Sequence, residues 1–370
     1  MRKKIELFLL AVIIAVFAWT IFTNRSVYLT PYDPGYWQDR YENSQWVKGY
    51  EATEVMGDAE LYTYAGWRQV HGDDPTKINT EMPPFGKYLL GLSVLVFRNA
   101  NVQAPIFGVL FLLVSFFWAK RVLKETAWAL LPVMMITVEP LFRADLTTSM
   151  LDLPFALFVA LAFFFLTKGR DNPCYYLFLT LSLAAVSTIK IYQVGFALTA
   201  VFGLYLLFLL IAYHYKDIFW FIVFLPVFVV FYFANYLVYF LSGRDLLDFK
   251  ELHFWIRYFG RVHVDGYPKG EILRIFFLGG WKTWWGGSGV ISVAEWRPWW
   301  VLGFLTIPLS VWLGFFKKNL DLLILSFWPI SFLAMYTYGV PYPRYVFAIT
   351  LPLYILLTYN LKLGWERWKK

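Results

Sequence analysis

The chain has 370 residues, of which 59% are hydrophobic and 16% are charged, and its net charge is +8. Soluble proteins have about 25% charged residues, so this composition excludes a soluble enzyme and also a disordered or collagen-like chain. Cys174 is the only cysteine, which excludes an internal disulfide. In so apolar a chain, an excess of Lys and Arg indicates the cytoplasmic ends of membrane spans, and we expect no binding to nucleic acid.

Apolar runs follow one another along most of the chain. A helix needs roughly 20 residues to cross a bilayer, and ten runs approach or exceed that length. We therefore predict an all-α, polytopic membrane protein with about ten transmembrane helices. The ten runs lie at 6–23, 103–119, 126–142, 148–166, 174–190, 194–213, 217–241, 299–316, 320–338 and 343–361.

A shorter apolar run at 85–97 is expected to lie at the interface or to enter the bilayer partway. If it does not span and the N-terminus is inside, the short inside segments hold 15 of the 33 Lys and Arg. If it did span, the basic segments 120–125, 167–173 and 317–319 would lie outside, against the positive-inside rule. We therefore predict that both termini are cytoplasmic. The run 6–23 is interpreted as a signal anchor, because no small-residue cleavage pattern follows it.

Two long polar segments, 24–84 and 242–298, fall outside in this arrangement. Connections longer than about 12–15 residues are usually functional or disordered, and the many aromatic residues argue against disorder. We expect juxtamembrane helices in both loops. The sequence contains no P-loop, dinucleotide-binding or HExxH zinc motif. We interpret 1–370 as a single membrane-embedded domain of the plasma membrane, with its working surface on the extracytoplasmic side.

The first loop contains two acidic residues, Asp58 and Glu60, beside several aromatic residues. The spacing of apolar residues over 58–70 predicts a short amphipathic helix lying on the membrane. A carboxylate at its start would lie at the lipid–water boundary, where a base is needed to deprotonate an acceptor hydroxyl. Alternatively, Asp58 is the N-cap of this helix and Glu60 an acid of its first turn, and both stabilise the helix.

Four cations lie at outside ends of the predicted spans, where the positive-inside rule does not place them. They are Lys87, Arg143, Lys190 and Arg344. An anionic partner explains them, and a lipid-linked phosphate is the natural one. Alternatively, the Lys87 ammonium extends to lipid headgroups.

Asp152 begins an apolar span and is expected to face the interior of the helix bundle, because a charge inside the bilayer marks a cavity or an ion pair. Alternatively, Arg143 pairs with Asp145 or Asp152 and fixes the hairpin at 139–158.

The second loop is rich in tryptophan and contains two of the four histidines. Trp281, Trp284 and Trp285 can stack on a sugar ring or a lipid tail, or they anchor a helix at the interface. His263, with an acid such as Glu81, is a candidate pair of ligands for a divalent cation, although a lone His is more often an ordinary hydrogen-bonding residue.

The stretch GDAELYTYAGW…GDDPTKINTEMPPFGKYLLGLS resembles the first extracytoplasmic loop of protein O-mannosyltransferases and of the lipid A aminoarabinose transferase family. Both belong to the C-type membrane glycosyltransferase superfamily. The matching residues are Asp58, Glu60, Glu81, Pro83, Pro84 and Lys87. The stretch 143–154 resembles the second acidic motif of the superfamily, which places Asp152 in the site. Lys190 and the PRY triplet at 343–345 resemble positions near its lipid-phosphate pocket.

The resemblance implies a membrane enzyme that transfers a hexosyl or pentosyl group from a polyprenyl-phosphate sugar, such as dolichyl-phosphate mannose, to a protein, lipid or glycan hydroxyl. It implies a single displacement with inversion. Asp58 would be the base, Lys87, Arg344 and Lys190 would bind the leaving phosphate, and Glu60, Asp152 and Arg143 would orient the base and the acceptor. The mannosyltransferases usually have His before the two prolines, where this chain has Met82, so the acceptor stays open.

Two other functions fit a basic, polytopic protein. A transporter of lipid-linked saccharides should show paired halves or broken helices at the midplane, and the sequence shows neither. A non-catalytic membrane assembly subunit would keep the same layout without needing the acidic residues. Cleavage of a lipid-linked sugar by the purified protein separates these two functions from the transferase.

Overall fold

The structure is a computed structural model that describes residues 2–190, 192–211, 214–264, 268–283 and 289–369. Almost all of its regular structure is helical, with one short two-stranded sheet. Numbered in chain order, helices α1–α10 are Arg2–Thr23, Arg25–Leu29, Pro34–Glu42, Gln45–Lys48, Asp58–Val70, Pro84–Phe97, Gln103–Leu123, Thr126–Val138, Pro140–Leu146 and Asp152–Gly169. Helices α11–α20 are Tyr175–Ile189, Tyr192–Ile211, Tyr215–Ala234, Leu237–Leu241, Leu246–Val264, Glu271–Leu278, Pro298–Leu305, Ile307–Phe316, Leu320–Tyr336 and Phe347–Trp368.

Each predicted apolar run coincides with one helix or with two consecutive helices. Six stretches of the described chain are long and apolar enough to cross a membrane, or seven if α8 and α9 together form one bent span. The prediction of a multi-pass, all-helical membrane protein is therefore confirmed. The count of ten stays a prediction, because α11, α19 and the stretch Ala197–Ile211 of α12 are apolar but shorter than 18 residues.

The buried centre of the bundle is α10, which packs against α7, α11 and α20. Its residues are mostly buried, and its first residue is Asp152. By contrast, α13 packs mainly on α11 and has no buried residue, as expected of a helix whose outer face meets lipid. The starts of α10 and α20 and the end of α11 are brought together by this packing.

The break between α8 and α9 is a bend of 64° at Glu139 and Pro140. The buried Glu139 carboxylate accepts hydrogen bonds from the Trp300 indole and the Tyr354 hydroxyl. These bonds tie the bend to α17 and α20, and they satisfy one oxygen of an acid that would otherwise be costly to bury.

The first loop folds back on α6 through a direct contact between two helix backbones. A Cβ atom built on Gly66 of α5 would lie 2.1 Å from the carbonyl oxygen of Lys87 in α6. A Cβ on Gly91 would lie 2.1 Å from the carbonyl oxygen of Gly66. Only glycine permits this approach. The short run predicted at 85–97 is thus a helix, Pro84–Phe97, that is fixed against the predicted amphipathic helix of the first loop.

The second loop contains α15, α16 and a small antiparallel sheet of Gly280–Trp281 and Ile291–Ser292. An ion pair links it to the first loop: Nη2 of Arg244 lies 3.2 Å from Oδ2 of Asp74. Arg244 also donates a hydrogen bond of 3.1 Å to the Thr76 hydroxyl. The two loops that the sequence predicts on one side of the membrane are therefore in contact.

We predict that Gly91→Ala lowers the stability of the protein. The added methyl group cannot fit against the Gly66 carbonyl, so α5 and α6 must separate, which typically costs about 1–3 kcal/mol. Thermal unfolding in detergent should show a Tm that is lower by several degrees. The matched control is Gly203→Ala in α12, where nothing lies within 4 Å of the new methyl group. An unchanged Tm for Gly91→Ala would contradict the close contact.

Candidate active site

Two residues that are 286 positions apart in the sequence form an ion pair at the centre of the candidate site. Asp58 is the first residue of α5, and Arg344 lies in the short 3-10 turn Pro343–Val346 that precedes α20. Nη2 of Arg344 lies 2.5 Å from Oδ2 of Asp58. The Asp58 side chain is 32% exposed and that of Arg344 is 26% exposed, so a ligand can reach both.

A second, deeper ion pair lies behind the first. Asp152 starts α10, Lys190 follows α11, and both side chains are buried. The Lys190 ammonium donates to Oδ1 of Asp152, and Nε of Arg344 lies 3.6 Å from Oδ2 of Asp152. The result is a row of alternating charges, Asp58, Arg344, Asp152 and Lys190, from the partly exposed end to the buried end. We call this row the charge cluster.

Aromatic rings hold the two cations of the charge cluster. The Arg344 guanidinium lies 4.6 Å from the ring centroid of Tyr342 and 5.6 Å from that of Tyr345. The Lys190 ammonium lies 4.1 Å from the Tyr345 ring. Trp281 of the second loop packs on Tyr342, with ring centroids 5.7 Å apart. Cation–π contacts of this kind fix the direction of a charged group. Tyr345 belongs to the PRY triplet that the resemblance places near the phosphate pocket, whereas nothing in the sequence pointed to Tyr342.

Three buried polar atoms of the cluster region lack a hydrogen-bond partner among the described residues. They are Oδ2 of Asp145, Oδ2 of Asp152 and Nε of Arg344. Asp145 is buried near the end of α9, close enough to Asp152 and Arg344 to interact with their charges. Buried polar atoms are normally satisfied, so the cluster keeps spare hydrogen-bonding capacity. From the sequence, Asp145 is predicted only as a possible ion-pair partner of Arg143.

Lys87 is completely buried and does not extend to lipid headgroups. Its ammonium donates to the carbonyl oxygens of Ile78, at 3.2 Å, and Asn79, at 2.8 Å. Burial lowers the pKa of Lys87 to about 7, against the opposing attraction of Glu81. Burial likewise raises the pKa of Glu81, whose carboxylate accepts from the Asn79 amide at 2.5 Å. Lys87 thus holds the loop 78–81 against α6.

Glu60 and Arg143 form contacts away from the charge cluster. Glu60 accepts a 2.9 Å hydrogen bond from the Gly57 amide and lies 3.0 Å from Nη1 of Arg40. It therefore stabilises the start of α5, as the alternative interpretation of this acid expects. The N-cap of α5 is Gly57 and not Asp58. Arg143 is exposed, and its Nε donates to the Thr20 hydroxyl at 3.2 Å.

No group of three or more His, Cys, Asp or Glu side chains that could hold a metal ion occurs in the part of the chain that the structure describes. The side chain of His263 lies outside the described residues, as do Trp284 and Trp285. The divalent cation proposed for Glu81 and His263 therefore stays a prediction.

No protein-family model and no curated protein sequence matches the chain. Solved structures match it over most of its length. ArnT from Cupriavidus metallidurans bound to undecaprenyl phosphate has 15% sequence identity and a TM-score of 0.61, covering 98% of this chain and 61% of that chain. The same protein in the apo state has 18% identity and a TM-score of 0.53, covering 85% of this chain and 57% of that one.

A third match is the oligosaccharyltransferase of Archaeoglobus fulgidus in the apo form, with 13% identity and a TM-score of 0.50, covering 97% of this chain and 51% of that chain. The chain spans about three-fifths of the length of the ArnT chain. ArnT and the oligosaccharyltransferase both have the C-type membrane glycosyltransferase fold. The chain has this same fold, as the resemblance in its first loop implies.

Proposed function

We propose that the protein is an integral membrane glycosyltransferase that moves a sugar from a polyprenyl-phosphate donor to an acceptor hydroxyl at the extracytoplasmic face. The observation that carries this proposal is the partly exposed Asp58–Arg344 pair, which places a carboxylate base beside a cation for phosphate. Both residues lie where the first loop meets the start of the last long helix. A transporter or an assembly subunit has no need of this arrangement.

The chemistry proceeds by one displacement. The acceptor oxygen forms a bond to the anomeric carbon as the bond from that carbon to the phosphate oxygen breaks. The polyprenyl phosphate leaves with the electron pair, and the acceptor proton passes to Asp58. Arg344 stabilises the charge that develops on the leaving phosphate. Because phosphate is already a good leaving group, the protein mainly supplies position and charge.

The other predicted residues take roles that follow from their contacts. Asp152 and Lys190 form the buried end of the charge cluster. The Asp152 carboxylate orients the Arg344 guanidinium through its charge. Lys87 either reaches the donor phosphate or holds the loop 78–81 against α6. Glu60 fixes the start of α5 and so the position of Asp58. Arg143 is exposed near the end of α9 and is hydrogen-bonded to Thr20. We propose that it contacts the donor only when this hydrogen bond breaks.

The lipid donor is supported by the fold and by one relative. ArnT was solved with undecaprenyl phosphate bound, and membrane lipids surround any donor of this kind. A polyprenyl-phosphate hexose or pentose fits the proposal, and the acceptor is a hydroxyl of a protein, a lipid or a glycan. The plasma membrane is the proposed location.

We predict that Asp58→Asn abolishes transfer and that the variant still folds and binds donor lipid. Asn has the same shape but cannot take a proton, and a base acts in the transition state, so kcat falls while donor binding is not lost. The measurement is single-turnover transfer of a labelled sugar by purified protein. Glu54→Gln, which removes a carboxylate from the exposed part of the same loop, is the control. Turnover by Asp58→Asn near the wild-type rate would remove Asp58 from the role of base.

We also predict that kcat/KM for the donor falls as the pH rises through about 7. Burial lowers the pKa of Lys87 to about 7, so its ammonium loses a proton in this range. A donor phosphate bound by Lys87 then loses the attraction of this positive charge. The change appears in kcat/KM because this constant reports the ionisable groups of the free enzyme. Lys87→Met should lack this pH step and lose roughly 10–150-fold in kcat/KM, as expected for a charge-assisted contact worth about 1.5–3 kcal/mol.

The comparison variant for this prediction is Arg344→Met, which should lose activity to the same extent yet keep the pH step. Turnover within twofold of wild type for Lys87→Met, together with a lower Tm, would instead assign Lys87 to holding the loop. The phosphate would then be bound by Arg344 and Lys190.

A further inference from the structure

The cation best placed to bind the donor phosphate is already occupied by the proposed base. Arg344 is the most accessible cation of the charge cluster, with 26% of its side chain exposed, against 5% for Lys190. Lys87 is buried and bonded to main-chain carbonyls. A phosphate arriving from the membrane surface therefore meets Arg344 first, and it finds Asp58 bound there.

We propose that Arg344 holds Asp58 inactive in the donor-free protein, and that the donor phosphate frees Asp58 by taking its place on the guanidinium. This inference rests on the proposed function and concerns the order in which the substrates bind. Arg344 is then a positioning residue for the base as well as a ligand of the phosphate.

The contacts indicate which partner moves. Arg344 is held by the rings of Tyr342 and Tyr345 and by the charge of the buried Asp152, 3.6 Å away. Asp58 contacts one residue of the cluster, Arg344, and lies in the first turn of α5, where its side chain can turn toward solvent. Partly exposed ion pairs are weakly held, whereas a phosphate can engage two guanidinium N–H groups at once. The guanidinium therefore stays in place, and the carboxylate leaves it.

Release changes the chemistry of Asp58. In the donor-free protein, Oδ2 of Asp58 accepts the hydrogen bond of the Arg344 guanidinium and is not available to the hydroxyl of an acceptor. Once the phosphate occupies the guanidinium, this oxygen is free to accept the proton of the hydroxyl. The acceptor can thus be activated only when the donor is in place, so the donor binds first.

The inference makes a counter-intuitive prediction for the affinity of undecaprenyl phosphate, the reaction product, which carries the lipid and the phosphate of the donor. Asp58→Asn, which should stop turnover, should bind undecaprenyl phosphate about 3–10-fold more tightly than wild type, because the anion that competes for Arg344 is gone. The measurement is the Kd of undecaprenyl phosphate for the purified full chain in phosphatidylcholine nanodiscs. Asp58→Ser serves as a second variant, and thermal unfolding confirms that each variant is folded.

Two controls separate competition for Arg344 from a general effect of charge. Glu54→Gln removes a carboxylate of the same loop, 3.8 Å from Arg40, and should leave the Kd unchanged. In an Arg344→Met background, Asp58→Asn should give no gain. A wild-type Kd that Asp58→Asn and Asp58→Ser fail to tighten, or a gain that persists without Arg344, would overturn the inference and leave the proposed function standing. No binding of undecaprenyl phosphate by wild type would instead count against the proposed lipid-phosphate site and, with it, the proposed function.

Discussion

The ion pair between Asp58 and Arg344 joins the first loop to the start of the last long helix, and the candidate site depends on this joint. Arg344 reaches it because the turn Pro343–Val346 comes directly before α20, which packs on the buried α10. Asp58 reaches it because α5 lies on α6 at the glycine contact. Helix packing in the bundle therefore positions Arg344, and the helix of the first loop positions Asp58.

Charge balance explains why so polar a cluster is tolerated at the membrane boundary. Buried charges are stable only when they are paired and hydrogen-bonded, and the charge cluster alternates acids and bases from Asp58 to Lys190. Oδ2 of Asp152 and Nε of Arg344 in the cluster, and Oδ2 of the neighbouring Asp145, have no hydrogen-bond partner among the described residues. The ion pairs thus stabilise the cluster, while its unsatisfied atoms remain available to form hydrogen bonds with a ligand.

Much of the fold could be predicted from the sequence, because apolar length and the positions of charged residues determine where helices begin and end. The ten runs and the helix at 58–70 were found in this way. The bend at Glu139 was missed, although Pro140 disfavours a helical conformation at the residue before it. The hydrogen bonds that Glu139 accepts from Trp300 and Tyr354 could not be predicted, because these residues belong to distant helices. The short sheet in the second loop was also missed, because its two strands are only two residues each.

The sequence predicts the individual residues of the candidate site but not which of them form ion pairs. Asp152, Lys190 and Arg344 are predicted from charges at the outside ends of spans, and Asp58 from its place at the start of the first-loop helix. The structure brings these four together. That Asp58 pairs with Arg344 could not be predicted, because 286 residues separate them. The burial of Lys87 was equally hidden, since its carbonyl partners belong to a loop without regular pattern.

The most direct test of sugar transfer from a lipid phosphate is consumption of the donor. Purified protein is incubated with each member of a panel of labelled polyprenyl-phosphate sugars, with a membrane extract from the expressing cells as the source of acceptor. One donor should be consumed, with release of one polyprenyl phosphate for each sugar transferred and inversion at the anomeric carbon. If folded protein consumes none of them, or moves the intact lipid-linked sugar across a vesicle membrane instead, the account is contradicted.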